Sequence, residues 1–316
     1  MDVRVLSCGG TIASEPAEDG AAPAKAGAEL LAAVPGLADH ADPTVEDVAS
    51  LPGFDMDPDT VAAVGRRARA AAADGEPVVV TQGTDTMCET AYYLDLALDL
   101  SVPVVVTGAQ RRLDEPGSDA PPNLLAAVTA ATHDRVEGGV YVAFDDELHA
   151  ARHAVKAHSR KLSTVASPGP GPVGERTRDG WRFHREPRSE AAELGVLETA
   201  ATVPVVTSGL GVPGEALRRQ VEAGVDGVVL AGTGLGNATA GLGEAVADLA
   251  GTVPIVAASR CHAGGTGAVY GTPGGGATLQ SAGAIPAGPL SPPKARVKLL
   301  LALAAPDPVA GAFDGG

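Results

Sequence analysis

Short apolar runs rich in valine, each closed by Gly, Pro or Asp, recur along the chain and predict buried strands at 4–7, 77–81, 102–107, 139–144, 204–207, 227–231 and 254–258. The runs are continuous rather than alternating, as expected of strands covered on both faces. Between them the apolar spacing turns helical, over 26–34, 61–73, 87–98, 123–132, 215–223, 239–250 and 294–303. This alternation predicts an α/β fold with a doubly wound parallel sheet.

The rhythm breaks after Ser167. Ser167-Pro168-Gly169-Pro170-Gly171-Pro172 is turn chemistry, and the polar stretch 177–188, with the lone Trp181, reads as a hairpin at the end of a first domain. Residues 186–198 are charged and then helical in pattern, which suits a linker. The expected division is a larger N-terminal domain over 1–190, a linker over 191–201 and a smaller C-terminal α/β domain over 202–316. The late stretch 264–276 reads as a glycine-rich surface loop.

Composition narrows the function. Hydrophobic residues make up 45% of the chain but aromatics only 3%, so the core must be built from Val, Ala, Leu and Ile. The formal net charge of −16, from 39 acidic and 23 basic residues, repels nucleic acid and anionic membranes. Neither is therefore an expected partner. Basic residues include only Lys25, Lys156, Lys161, Lys294 and Lys298 as lysines, a composition that fits either ordinary acidic solubility or adaptation to high salt. Cys8, Cys88 and Cys261 are odd in number and form no CxxC, which fits a reduced, cytoplasmic setting. No leader peptide and no spanning helix are expected from the pattern.

Two runs carry candidate chemistry. Gly9-Gly10-Thr11-Ile12-Ala13 follows the first apolar run, and Gln82-Gly83-Thr84-Asp85-Thr86-Met87 follows the second, so each places a threonine at the carboxyl end of a strand. That edge is where open α/β sheets bind ligands. Local physics leaves two readings open: helix caps, or exposed hydroxyls beside glycines that let backbone approach a ligand. Gly232-Thr233-Gly234-Leu235-Gly236-Asn237 lacks GxGxxG spacing and reads as a structural or substrate-side turn rather than a nucleotide loop. His149, His153 and His158 have spacings that would share a helix; a solvated face is favoured over metal ligation, and no metal or other cofactor is expected.

In order and content the motifs resemble the bacterial and archaeal L-asparaginase family. Ser7-Cys8-Gly9-Gly10-Thr11-Ile12-Ala13 is similar to its first signature and Thr81-Gln82-Gly83-Thr84-Asp85-Thr86-Met87-Cys88-Glu89-Thr90-Ala91 to its second. Val106-Thr107-Gly108-Ala109-Gln110-Arg111, the stretch 119–127, Lys156, the stretch 227–237, Ser259-Arg260 and Pro293-Lys294-Ala295-Arg296 extend the likeness over nearly the whole chain. The resemblance implies hydrolysis of L-asparagine to L-aspartate and ammonia, with Thr11 as nucleophile and Thr84, Asp85 and Lys156 as a second catalytic group. It also implies that Asp85 pairs with the substrate α-ammonium, backbone at Gly53 and Gly83 holds the α-carboxylate, and backbone at Thr84 and Ala109 meets the amide. A homodimer or homotetramer is implied, as is a site shared between paired protomers.

Three positions depart from the family pattern. The mobile-loop tyrosine aligns with Ala21, the serine that grips the α-carboxylate with Gly53, and no glutamate follows Glu244 to be lent by a neighbouring protomer; Tyr270 and Asn237 are the candidates for its place. The alternatives are therefore a preference for glutamine or D-asparagine, or a non-catalytic amino-acid-binding homologue. The archaeal glutamyl-tRNA amidotransferase component that uses the same core on tRNA-bound substrate is disfavoured by the acidic charge and by its extra N-terminal domain.

Overall fold

The computed structural model describes residues 1–17, 20–191 and 194–314, which fall into two compact units, Met1–Leu197 and Glu198–Gly316. Ala192 and Glu193, inside the stretch expected to be a linker, lie outside the described residues.

The strands of the first unit are β1 (Asp2–Gly9), β2 (Ser14–Ala17), β3 (Gly20–Pro23), β4 (Asp42–Leu51), β5 (Val78–Thr81), β6 (Pro103–Thr107), β7 (Gly139–Phe144), β8 (Glu147–Ala150), β9 (Val155–Lys156), β10 (Val165–Ala166), β11 (Gly174–Thr177) and β12 (Gly180–Phe183). Its helices are α1 (Gly27–Ala32), α2 (Pro58–Ala73), α3 (Met87–Ala97) and α4 (Ala120–Ala131). One sheet runs in the order β12-β11-β8-β7-β6-β5-β1-β4. It is parallel from β7 to β4 and continues antiparallel through β8 to the hairpin β11–β12. The parallel sheet expected from the sequence is thus the larger part of a mixed one.

Successive strand residues face opposite sides. Val3, Val5, Val79, Val105 and Tyr141 pack with Leu30 of α1 and Leu124 and Val128 of α4, while Val78, Val80, Val104 and Val106 are equally buried on the other face, against which α2 and α3 lie. Helix α2 starts where its sequence dictates: the Asp57 carboxylate accepts the Thr60 N–H at 2.7 Å, and Pro58 occupies the first turn, where no N–H is needed.

The chain leaves β1 for β4 on one side and returns to β5 on the other, so the connection reverses direction at β1 and β5. A crevice opens at such a point in an open α/β sheet.

The strands of the second unit are β13 (Val205–Thr207), β14 (Val228–Gly232), β15 (Ile255–Ser259) and β16 (Ile285–Pro286), parallel in that order. Its helices are α5 (Glu215–Glu222), α6 (Ala240–Leu249), α7 (Gly276–Ser281), α8 (Pro292–Ala302) and α9 (Val309–Phe313). Leu217, Leu230, Leu242, Val246 and Ile255 form the centre of its core. The glycine loop after β14 is a closed structural turn. Thr233 and Asn237 exchange backbone hydrogen bonds at 2.7 and 2.9 Å, and the Asn237 side chain accepts the Gly276 N–H at the start of α7.

Two sequence expectations change. Described residues of 186–198 form no helix, because their backbone is used by neighbours: the Pro187 carbonyl accepts Glu137 N–H, and Leu194 N–H donates to the Leu96 carbonyl. The three histidines share no helix either. His149 lies on β8 and is fully buried, whereas His153 and His158 sit in the turns around β9. The driving feature is the parity of β8, which turns His149 inward with Glu147 on the same side.

No helix among the described residues is long and apolar enough to cross a membrane. The thiols differ sharply in environment: burial pushes Cys8 up to about 12, Cys88 is buried, and Cys261 is exposed. Because the thiolate is the reactive form, one thiol per chain is expected to react rapidly with an aromatic disulfide reagent in the native protein, and all three after unfolding. Fast reaction of more than one in the native state would contradict this burial.

Candidate active site

Four loops leave the carboxyl ends of neighbouring parallel strands. They carry Thr11 after β1, Gly53 after β4, residues 82–86 after β5 and residues 108–111 after β6. Glycine backbone binds the first three together. A Cβ on Gly10 would lie 2.0 Å from the Gly83 nitrogen, and one on Gly83 would lie 2.5 Å from the Gly53 nitrogen. Gly10 also has φ +80°, in the left-handed region. The two threonine runs are therefore stacked backbone against backbone, which only glycine permits. Gly10→Ala is expected to destabilise the protein by about 3 kcal/mol or more, through strain and overlap together; denaturant unfolding measures it, and an unchanged midpoint would refute the contact.

Thr11 opens a short 3-10 turn (Thr11–Ala13) and is partly exposed, while Ile12 and Ala13 beside it are buried. The turn is held by Gly10 N–H donating to the Leu51 carbonyl at 2.8 Å and by the Ser14 hydroxyl donating to the Gly10 carbonyl at 2.8 Å. Among the described residues nothing hydrogen-bonds the Thr11 hydroxyl. The next segment is the β2–β3 hairpin, in which Ala21 pairs with Pro16, and Lys25 Nζ meets Glu15 at 2.6 Å.

Thr84, Asp85 and Lys156 converge. Lys156 Nζ donates to Thr84 Oγ1 at 2.8 Å and to Asp85 Oδ1 at 2.6 Å, across 72 and 71 positions of sequence. Thr84 is buried, while the Asp85 side chain is 53% exposed, leaving carboxylate available to a ligand. Neither residue is a helix cap: the residue before α3 is Thr86, whose hydroxyl donates instead to the Gly53 carbonyl at 2.6 Å.

Two features were invisible in the sequence. Gln110 Nε2 donates to Thr84 Oγ1 at 3.0 Å, so that hydroxyl accepts from both an ammonium and an amide and its own proton is directed elsewhere. The buried Asp119 carboxylate accepts the Gln110 and Arg111 N–H groups at 2.9 Å each, and Asn123 Nδ2 donates to the Gly108 carbonyl at 3.0 Å. Together they fix the loop carrying Ala109. Gly53 differs from a serine for a steric reason: its Cβ would fall 2.7 Å from the Gly83 carbonyl carbon. Of the two candidates for the missing glutamate, Asn237 is committed to α7 and Tyr270 is exposed.

Residues 2–189 match the model of the asparaginase N-terminal domain, and residues 202–310 match that of the glutaminase/asparaginase C-terminal domain. The chain belongs to the asparaginase family. Within that family it is 35% identical over 305 residues to the "Probable L-asparaginase" of Deinococcus radiodurans, covering 95% of this chain and 92% of the relative. It is 38% identical over 330 residues to a component of the glutamyl-tRNA(Gln) amidotransferase of Haloquadratum walsbyi, covering 97% of this chain and 72% of the relative. The crystal structure of a "Probable Cytoplasmic L-asparaginase" from Campylobacter jejuni matches with a TM-score of 0.88 at 30% identity, covering 99% of this chain and 98% of that one. The asparaginase family membership and its α/β architecture are thus common to sequence and fold.

Proposed function

We propose that this asparaginase-family chain hydrolyses L-asparagine to L-aspartate and ammonia through a threonine ester. The observation that carries the proposal is the Lys156 ammonium bridging Thr84 Oγ1 and Asp85 Oδ1 at a strand edge that also presents Thr11. Thr11 Oγ attacks the side-chain amide carbon, ammonia leaves with the proton taken from the hydroxyl, and water then cleaves the β-aspartyl ester. Dividing the hydrolysis into two acyl transfers is nucleophilic catalysis. Asp85 receives the α-ammonium, backbone at Gly53 and Gly83 the α-carboxylate, and backbone at Thr84 and Ala109 the amide and its developing oxyanion. The substrate ammonium meets the same carboxylate that holds Lys156, whose Nζ lies within proton-transfer distance of Thr84 Oγ1.

The Haloquadratum relative favours a second reading, in which the same centre supplies ammonia to a tRNA-bound acceptor. The two separate in one assay. Ammonia release by the purified chain from free L-asparagine, exceeding that from L-glutamine and D-asparagine, supports the first; no release from any free amino acid overturns it.

We further propose a cytoplasmic homotetramer adapted to high salt, from the odd number of cysteines with no CxxC spacing, the family resemblance and the net charge of −16. Salt at about 1 M compresses the Debye length to about 3 Å and screens that self-repulsion. Activity and melting temperature are expected to rise together from low to molar salt. Indifference of both to salt removal would refute the adaptation.

A further inference from the structure

The catalytic role proposed for Lys156 depends on a strand of two residues. Lys156 ends β9, and among the described residues β9 is paired only with β10, where Val165 lies opposite Lys156 and Ala166 opposite Val155. So short a ribbon does not hold itself in water. Something outside it must fix β10.

Ser167, the next residue after β10, is buried, and its hydroxyl lies 2.9 Å from Nδ1 of the fully buried His149 on β8. Nε2 of the same ring is 3.3 Å from Glu147 Oε2, off the line of a good hydrogen bond. The hydroxyl can donate to a ring nitrogen or accept from its N–H, so the Ser167–His149 hydrogen bond forms in either tautomer. The His149 contact in turn holds the Glu147 carboxyl below its ordinary value, with His184 adding to the effect against the opposing influence of burial. β8 belongs to the large sheet, so this contact ties β10 to a rigid element.

We propose that His149 is a positioning residue for Lys156, acting through Ser167 and β10 to hold the ammonium against Thr84 and Asp85. The proposal rests on the catalytic reading of Lys156 given above. Displacement of a catalytic group by about 1 Å costs on the order of 100-fold in rate, which sets the scale expected when the anchor is removed.

His149→Leu is expected to lower kcat for asparagine hydrolysis about 10- to 100-fold with a much smaller change in KM. Ser167→Ala should reproduce the loss, and His149→Gln, which keeps a hydrogen-bonding group for Ser167, should restore part of it. The decisive measurement is the double-mutant cycle with Lys156→Ala. If His149 acts through Lys156, His149→Leu has no further effect on kcat once the lysine is gone; if the two losses multiply, the proposal is overturned. It is also overturned if Ser167→Ala folds with full kcat. Failure of the underlying reading is distinguishable, because then Lys156→Ala alone leaves kcat intact.

Discussion

Thr11→Ala is expected to abolish ammonia release from L-asparagine, by about 10,000-fold or more in kcat, if Thr11 is the covalent nucleophile proposed above. The fold should survive, since the Thr11 side chain is partly exposed and makes no hydrogen bond among the described residues, while Gly10, Ile12 and Ser14 hold the turn. Binding of L-aspartate should therefore persist, measured calorimetrically, because Asp85 and the glycine backbone remain. Two outcomes would redirect the chemistry. Activity within about tenfold of the parent would pass the nucleophile's part to Thr84. Loss of aspartate binding along with activity would make Thr11 a structural residue.

The second large effect falls on Lys156. Lys156→Met removes the group that donates to both Thr84 Oγ1 and Asp85 Oδ1, and kcat is expected to fall by about 100- to 10,000-fold, the range for a positioned proton-transfer group. If kcat is unchanged, the contacts of Lys156 with Thr84 and Asp85 are structural and the proton passes by another route. Unlike Thr11→Ala, this change also frees Asp85, so the affinity for aspartate is expected to alter with it.

The sequence exposed most of the fold because parallel strands with helices on both faces must be apolar without interruption, and each of the seven valine-rich runs is a strand. The element it concealed most completely is β4 (Asp42–Leu51). As the sheet's edge it is half-exposed along its length and carries Pro43, Glu46 and Asp47, so its membership depends on parallel pairing with β1 rather than on any pattern of its own. The ribbon β9–β10 was hidden for a related reason, being too short to leave a periodicity. Likewise α7 begins at the end of a stretch that reads as loop, because its start is fixed by Asn237 from 39 positions away.

For the site, the sequence by itself determined which groups exist: hydroxyls at two strand ends, a carboxylate beside one of them, and the glycines that precede them. It fixed these because strand, loop and glycine requirements act over a few neighbouring residues. Tertiary structure decided which of those groups meet. The hydrogen bonds of Lys156 and Gln110 to Thr84, the stacking of Gly10 on Gly83 and Gly53, and the link from His149 to Ser167 join residues 18 to 73 positions apart. Such contacts have no local periodicity, and only the packing of the sheet brings their partners within hydrogen-bonding distance.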